Sequence, residues 1–203
     1  RGLWQLAEAF ENGRPQALAP NGAGNYMLDY GMLWAQSLAS YYQRTGDTAL
    51  VGQLYPALGS LLGYLAGYTN PTSGLLDIPY GDWSQTSLID WAASTDRYGQ
   101  STAVNALYYR TLLDAAGLAD ALGDTAQAAA WRLQAAQVKA AANTRLYLPA
   151  SGAYVATIYG GQARPATPHA QAWALANDLV PPSEQGRVAD KLVSMISPDP
   201  ATP

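Results

Sequence analysis

Two four-residue segments of this chain are identical: Gly46-Asp47-Thr48-Ala49 and Gly123-Asp124-Thr125-Ala126. Each follows one helical run and opens another. A glycine at a helix end accepts the left-handed conformation that stops the helix. An aspartate directly after it caps the N-terminus of the next one. A junction this short leaves no path for a crossover, so the second helix must return antiparallel to the first. Residues 26–68 and 100–145 are therefore predicted to form two antiparallel helix hairpins.

The rest of the chain extends this pattern. Apolar groups at Leu33, Trp34, Leu38, Tyr41 and Tyr42 follow a helical spacing in 26–46. The pairs Tyr41/Tyr42 and Tyr108/Tyr109 read as packing residues with outward hydroxyls. Pro56 lies inside the second run and predicts a kink or a break. Residues 3–13 read as a helix stopped by Gly13, and 167–179 and 182–196 as two further helices. The segment Tyr147 to Thr157, with Ser151-Gly152 between two β-rich runs, reads as one small β-hairpin. The connection over 69–99 is too long for a plain connector, and loops of that length commonly carry function.

Composition narrows the function. The chain has 203 residues, enough for one sizeable core, and no cysteine. Charged residues make up 13%, against about a quarter in an average soluble domain. Six Trp and fourteen Tyr stand against one Phe, so aromatic groups with a polar handle dominate. Such groups suit a carbohydrate cleft or a protein interface. Net charge is −4 with no Lys/Arg cluster, which argues against nucleic acid. No uninterrupted apolar run approaches the roughly 18 residues of a membrane span. One histidine and no cysteine exclude a multi-His or thiolate metal site within this chain, and no phosphate or calcium loop is found.

The candidate site centres on the sequence GDWSQTSLIDW at 81–91. Trp83 suits the apolar face of a pyranose ring, and Asp82 suits its hydroxyls; Asp90 and Trp91 repeat the pairing. The alternative is a loop folded onto the core with aspartate as a turn residue. Asp29, at a helix start, either faces the cleft or complements the helix dipole. Asn105, early in a later helix, either reaches the cleft or is a solvated or capping residue. His169, the one histidine, either donates to a sugar hydroxyl or is a structural residue, and Gln171 is a weaker case of the same choice.

The stretches YMLDYGMLW, YYQRTGDTALVGQLYPAL, GLLDIPYGDWSQTSLIDW, NALYYRTLLDAAGLADALGD and HAQAWALANDLVP, in this order, cover most of 26–182. In order and spacing they resemble the catalytic domain of bacterial α-L-rhamnosidases, glycoside hydrolase family 78, among the six-hairpin glycosidases. The resemblance implies an all-α fold, an (α/α)6 toroid with its active site at one mouth, of which about half is present here. It implies a carbohydrate substrate such as a rhamnosylated glycoside, and no cofactor. The family places an aspartate where Asp29 stands and an Asp-Trp doublet where Asp90-Trp91 stands.

The resemblance also implies inverting hydrolysis by two glutamates. Neither has a matching position here, and Glu8, Glu11 and Glu184 fall in no such motif. The catalytic residues are thus expected outside this chain, which reads as a partial domain completed by the remainder of a parent protein. The substrate-binding set expected within it is Asp29, Asp82, Trp83, Asp90, Trp91, Asn105 and His169. Two other readings stay open: a helical carbohydrate-binding or interaction module without turnover, and a six-hairpin glycosidase for another sugar.

Overall fold

The computed structural model describes residues 2, 3, 7, 13, 14, 27–80, 87–90 and 96–197. Three helical hairpins follow one another. Helix α1 (Leu28–Thr45) returns as α2 (Thr48–Ala66), α3 (Thr102–Ala121) as α4 (Thr125–Arg145), and α5 (Pro168–Ala176) as α6 (Gln185–Ile196). Both predicted hairpins are present. The 3–13 helix falls mostly outside the described residues.

The repeated junction works as its residues dictate. Gly46 and Gly123 take φ of 66° and 80°. Asp47 Oδ1 accepts from the Leu50 N–H at 3.0 Å, and Asp124 Oδ1 from the Gln127 N–H at 3.1 Å. The second carboxylate oxygen of each takes a tyrosine hydroxyl, Tyr41 on Asp47 and Tyr55 on Asp124.

Burial separates inner helices from outer ones. Fourteen of the twenty residues of α3 are buried, on all sides, because α1, α4 and α5 pack around it. Helix α4 buries one seam, Ala128, Trp131, Ala135, Val138 and Ala142, at alternating steps of three and four. The alanines in that seam let α4 approach α3 closely. Helices α1, α3 and α5 therefore form an inner row, and α2, α4 and α6 lie outside it. Pro56 sits inside α2 without ending it. It and Gly52, whose carbonyl loses its partner, are both exposed, so water replaces the missing bond. By length and composition α2 is apolar enough to cross a membrane. This differs from the expectation drawn from uninterrupted runs, because scattered Gly, Gln and Ser barely lower its average. In this fold its Val51, Leu54, Leu58, Leu61, Leu62 and Leu65 stripe joins the core.

Among the described helices, the two inner-to-outer junctions at Gly46-Asp47 and Leu122–Asp124 are tight, and the two longest connections run from an outer helix to the next inner one. Those connections therefore lead to the N-terminal ends of α3 and α5. Two small antiparallel sheets brace them. Strands β2 (Tyr147–Leu148) and β3 (Ala153–Tyr154) form the predicted hairpin. A second sheet, β1 (Gln100–Ser101), β4 (Thr157–Tyr159) and β5 (Gln162–Ala163), in the order β1-β4-β5, was not anticipated.

Candidate active-site mouth

Asp29 is the second residue of α1 and only 2% exposed. Its Oδ1 accepts the Leu88 N–H at 3.1 Å and its Oδ2 the Ile89 N–H at 2.8 Å. Burial pushes its pKa above the ordinary carboxylate value, and the two backbone N–H groups oppose that shift without cancelling it. The carboxylate thus lies beneath the long loop and grips its backbone.

The gripped backbone is bent. Ile89, a β-branched residue, has φ of 53°, and the Asp90 N–H reaches back to the Leu88 carbonyl at 2.5 Å. Such a conformation costs about 1–3 kcal/mol and persists only when its surroundings hold it. Asp29 holds it from one side. Arg97 holds it from the other, its Nη2 donating to the Asp90 carbonyl at 3.1 Å.

The turn delivers the Asp90 side chain to His169. Helix α5 starts at Pro168, whose missing N–H costs nothing at that position, and the Thr167 hydroxyl caps the Ala170 N–H. His169 then projects from the first turn, its Nε2 2.9 Å from Asp90 Oδ2. An ionised carboxylate only accepts, so Nε2 is the donor. Nδ1 is buried and has no partner among the described residues. The side chains stay partly open, 45% for Asp90 and 28% for His169. A half-open carboxylate held in direction by an imidazole can accept from hydroxyls, a chemistry that sugar recognition uses.

The structure brings Asp90 and His169 together, and sets Asp29 and Asn105 apart from them: Asp29, expected to bind substrate, is buried with both carboxylate oxygens on the loop backbone. Asn105 is fully buried. Its Oδ1 accepts the Leu76 N–H at 2.8 Å, and its Nδ2 donates to the carbonyls of Leu76 and Ser101. Both its donors serve backbone, so it pins the loop to α3 rather than facing a cleft. Gln171 does the same for β3, bonding both backbone groups of Tyr154. Asp82, Trp83 and Trp91 lie outside the described residues. Glu184 pairs with Arg187 and accepts from Tyr147, so its carboxylate is taken up by structural contacts. Arg97 was missed in the sequence. In a chain so poor in charge, an arginine within the long loop was the available signal.

Among the described residues, no three His, Asp or Glu side chains gather closely enough to hold a metal ion. A concavity of about 490 Å³ lies on the open side of α1, lined by Leu33, Gln36, Tyr41 and Arg44 among others. It contains no carboxylate, and the chemistry of Asp90 and His169 lies elsewhere.

The family profile described as the bacterial alpha-L-rhamnosidase 6 hairpin glycosidase domain matches residues 4–201. Among solved structures, a glycoside hydrolase family 78 rhamnosidase of Bacillus sp. GL1 superposes with a TM-score of 0.85 at 23% identity, over 98% of this chain and 20% of that one. A rhamnosidase from Klebsiella oxytoca with rhamnose bound gives 0.79 at 22% identity, over 97% of this chain and 37% of that one. The α-L-rhamnosidase of Streptomyces avermitilis complexed with L-rhamnose gives 0.63 at 20% identity, over 96% of this chain and 17% of that one. The chain thus spans well under half the length of each of these structures. At such identities the likeness speaks for the fold. Comparison with curated proteins gives no match.

Proposed function

The chain belongs to the bacterial α-L-rhamnosidase six-hairpin glycosidase domain family, and from that premise we propose that it supplies the sugar-holding part of a glycoside hydrolase acting on terminal α-L-rhamnosides. The observation that carries the reading is the contact between Asp90 and His169, a partly open polar pair at the N-terminal end of the inner helices. Rhamnose-bound relatives of the same fold support the choice of sugar.

In this reading Asp90 accepts from a sugar hydroxyl and His169 fixes its direction. Asp82, Trp83 and Trp91, on the same loop, complete the grip, with an indole against the apolar ring face. Asp29 holds the loop from below. Hydrolysis by inversion needs a protonated carboxyl that donates to the glycosidic oxygen and a carboxylate that activates water on the opposite face. The two sit about 6.5–9.5 Å apart. We assign both to parts of the parent protein beyond these 203 residues, which form one part of the (α/α)6 domain. The open side of α1, where Tyr30 and Leu33 are exposed, is a surface on which that remainder would pack. This chemistry calls for no cofactor.

The test is an assay of an aryl α-L-rhamnoside with the parent protein and with the 203-residue chain, following the anomer first released by NMR. Turnover by the parent alone, releasing the β-anomer first, is the expected result. Turnover by the isolated chain would place the acid and base within it. A folded parent that binds rhamnose but hydrolyses no glycoside would favour the binding-module reading.

A further inference from the structure

Three tyrosines from three separate segments meet beside the mouth. Tyr80 and Tyr98 flank the loop that carries Asp90, and Tyr159 ends β4. The Tyr80 ring lies 4.7 Å from that of Tyr98 and 6.4 Å from that of Tyr159, centroid to centroid. Tyr80 is nevertheless 72% exposed and Tyr159 39%. Aromatic rings gathered in this way while open to water are costly to leave bare, and packing against one another does not explain the exposure of Tyr80 and Tyr159.

The backbone beneath Tyr98 and Tyr159 is fixed at several points. Ile78 and Gly99 exchange both backbone hydrogen bonds, at 3.0 and 2.6 Å, and so close the neck of the loop. The Thr157 hydroxyl donates to the Tyr98 carbonyl at 2.6 Å. Gly99 has φ of 68°, and a Cβ there would stand 2.4 Å from the Ile158 carbonyl oxygen and 3.0 Å from the Tyr159 Cβ. Only glycine lets the neck press so closely against β4. The Tyr98 and Tyr159 side of the platform is therefore preorganised, which lowers the ordering cost of binding. It is tied to the sugar site through the chain, since Arg97, next to Tyr98, donates to the Asp90 carbonyl.

We propose that the Tyr80–Tyr98–Tyr159 platform binds the leaving-group side of the glycoside, a flat ring with polar edges, next to the sugar held at Asp90 and His169. The inference rests on the sugar-site reading above. Exposed ring faces take the apolar face of a pyranose or an aromatic aglycone, and the phenol hydroxyls meet its polar rim.

The experiment is calorimetric titration of the parent protein, wild type and the Tyr80→Ala and Tyr80→Trp variants, with two ligands: L-rhamnose and a non-hydrolysed thio-linked aryl α-L-rhamnoside. Tyr80 is at the surface, so both variants keep the fold. Tyr80→Ala is expected to weaken the aryl glycoside roughly tenfold and to leave rhamnose within twofold, and Tyr80→Trp to restore the difference. Equal effects on both ligands, or none on either, would overturn the platform while leaving the sugar site standing. Binding of neither ligand by the wild type would overturn both. A changed oligomeric state in Tyr80→Ala with unchanged affinities would assign the rings to a protein contact and overturn the inference.

Discussion

His169 Nε2 stands 2.9 Å from Asp90 Oδ2, although seventy-nine residues separate them in the chain. One comes from the first turn of α5 and the other from the loop that leads into α3. The contact ties two successive hairpins together at the mouth, and each partner limits where the other can point. Removing either is expected to weaken L-rhamnose binding by the parent protein on the order of tenfold to a hundredfold, the range for a hydrogen bond to a charged group. Titration of Asp90→Ala and His169→Ala, with circular dichroism to verify the fold, checks this.

The His169 imidazole also allows a direct look at the proton. Because Asp90 accepts, the Nε2–H tautomer is expected, with Nδ1 bare. Nitrogen-15 NMR of the parent protein reads this, with the His169 signals assigned by their loss in His169→Gln. The Nδ1–H tautomer would mean that the pair is not hydrogen-bonded as described.

Asp29 is expected to act through the loop. Asp29→Ala leaves the Leu88 and Ile89 N–H groups without their acceptor and is expected to destabilise by about 2–4 kcal/mol, measured by urea unfolding. The pH dependence has a definite sign. Burial raises the folded-state pKa of Asp29 above its unfolded value, so the folded protein holds this proton more tightly. The stabilisation relative to Asp29→Asn is fully present below the unfolded pKa of about 4. It is lost as pH rises through the raised folded value. A difference that grows with rising pH would contradict the burial argument.

Asn105 is expected to behave as scaffold. Asn105→Ala strips three hydrogen bonds from a fully buried position and is expected to destabilise by about 2–4 kcal/mol. Rhamnose affinity at a temperature where the variant is folded is expected to stay within a few-fold of wild type. A large loss of affinity with normal stability would return Asn105 to the ligand.

Gly99→Ala tests the neck. The added methyl meets the Ile158 carbonyl and the backbone keeps a positive φ, so a loss of about 2–4 kcal/mol in thermal or chemical unfolding is expected.

Much of the fold was legible because it is written locally. Gly46-Asp47 and Gly123-Asp124 each carry a stop and a cap within two residues, and the hairpins follow. The site was legible only in part. Asp29, Asp90 and His169 stand out by residue type, but their joining depends on Ile89 adopting a positive φ, which nothing in the identity of isoleucine announces. Asn105 read as a cleft residue or as a solvated or capping one, and neither reading found its burial, which depends on Leu76, twenty-nine residues away. The β1-β4-β5 sheet was missed although Gly160-Gly161, both at positive φ, is the residue pair that a tight hairpin turn requires. Its strands of two or three residues are too short to show alternation.

The most direct measurement is a crystal structure of the parent protein with L-rhamnose. The account expects the sugar at the N-terminal ends of α1, α3 and α5, with a ring hydroxyl within hydrogen-bond distance of the Asp90 carboxylate and the His169 imidazole still on that carboxylate. Rhamnose bound elsewhere on the protein, with Asp90 and His169 in contact only with each other, would contradict it.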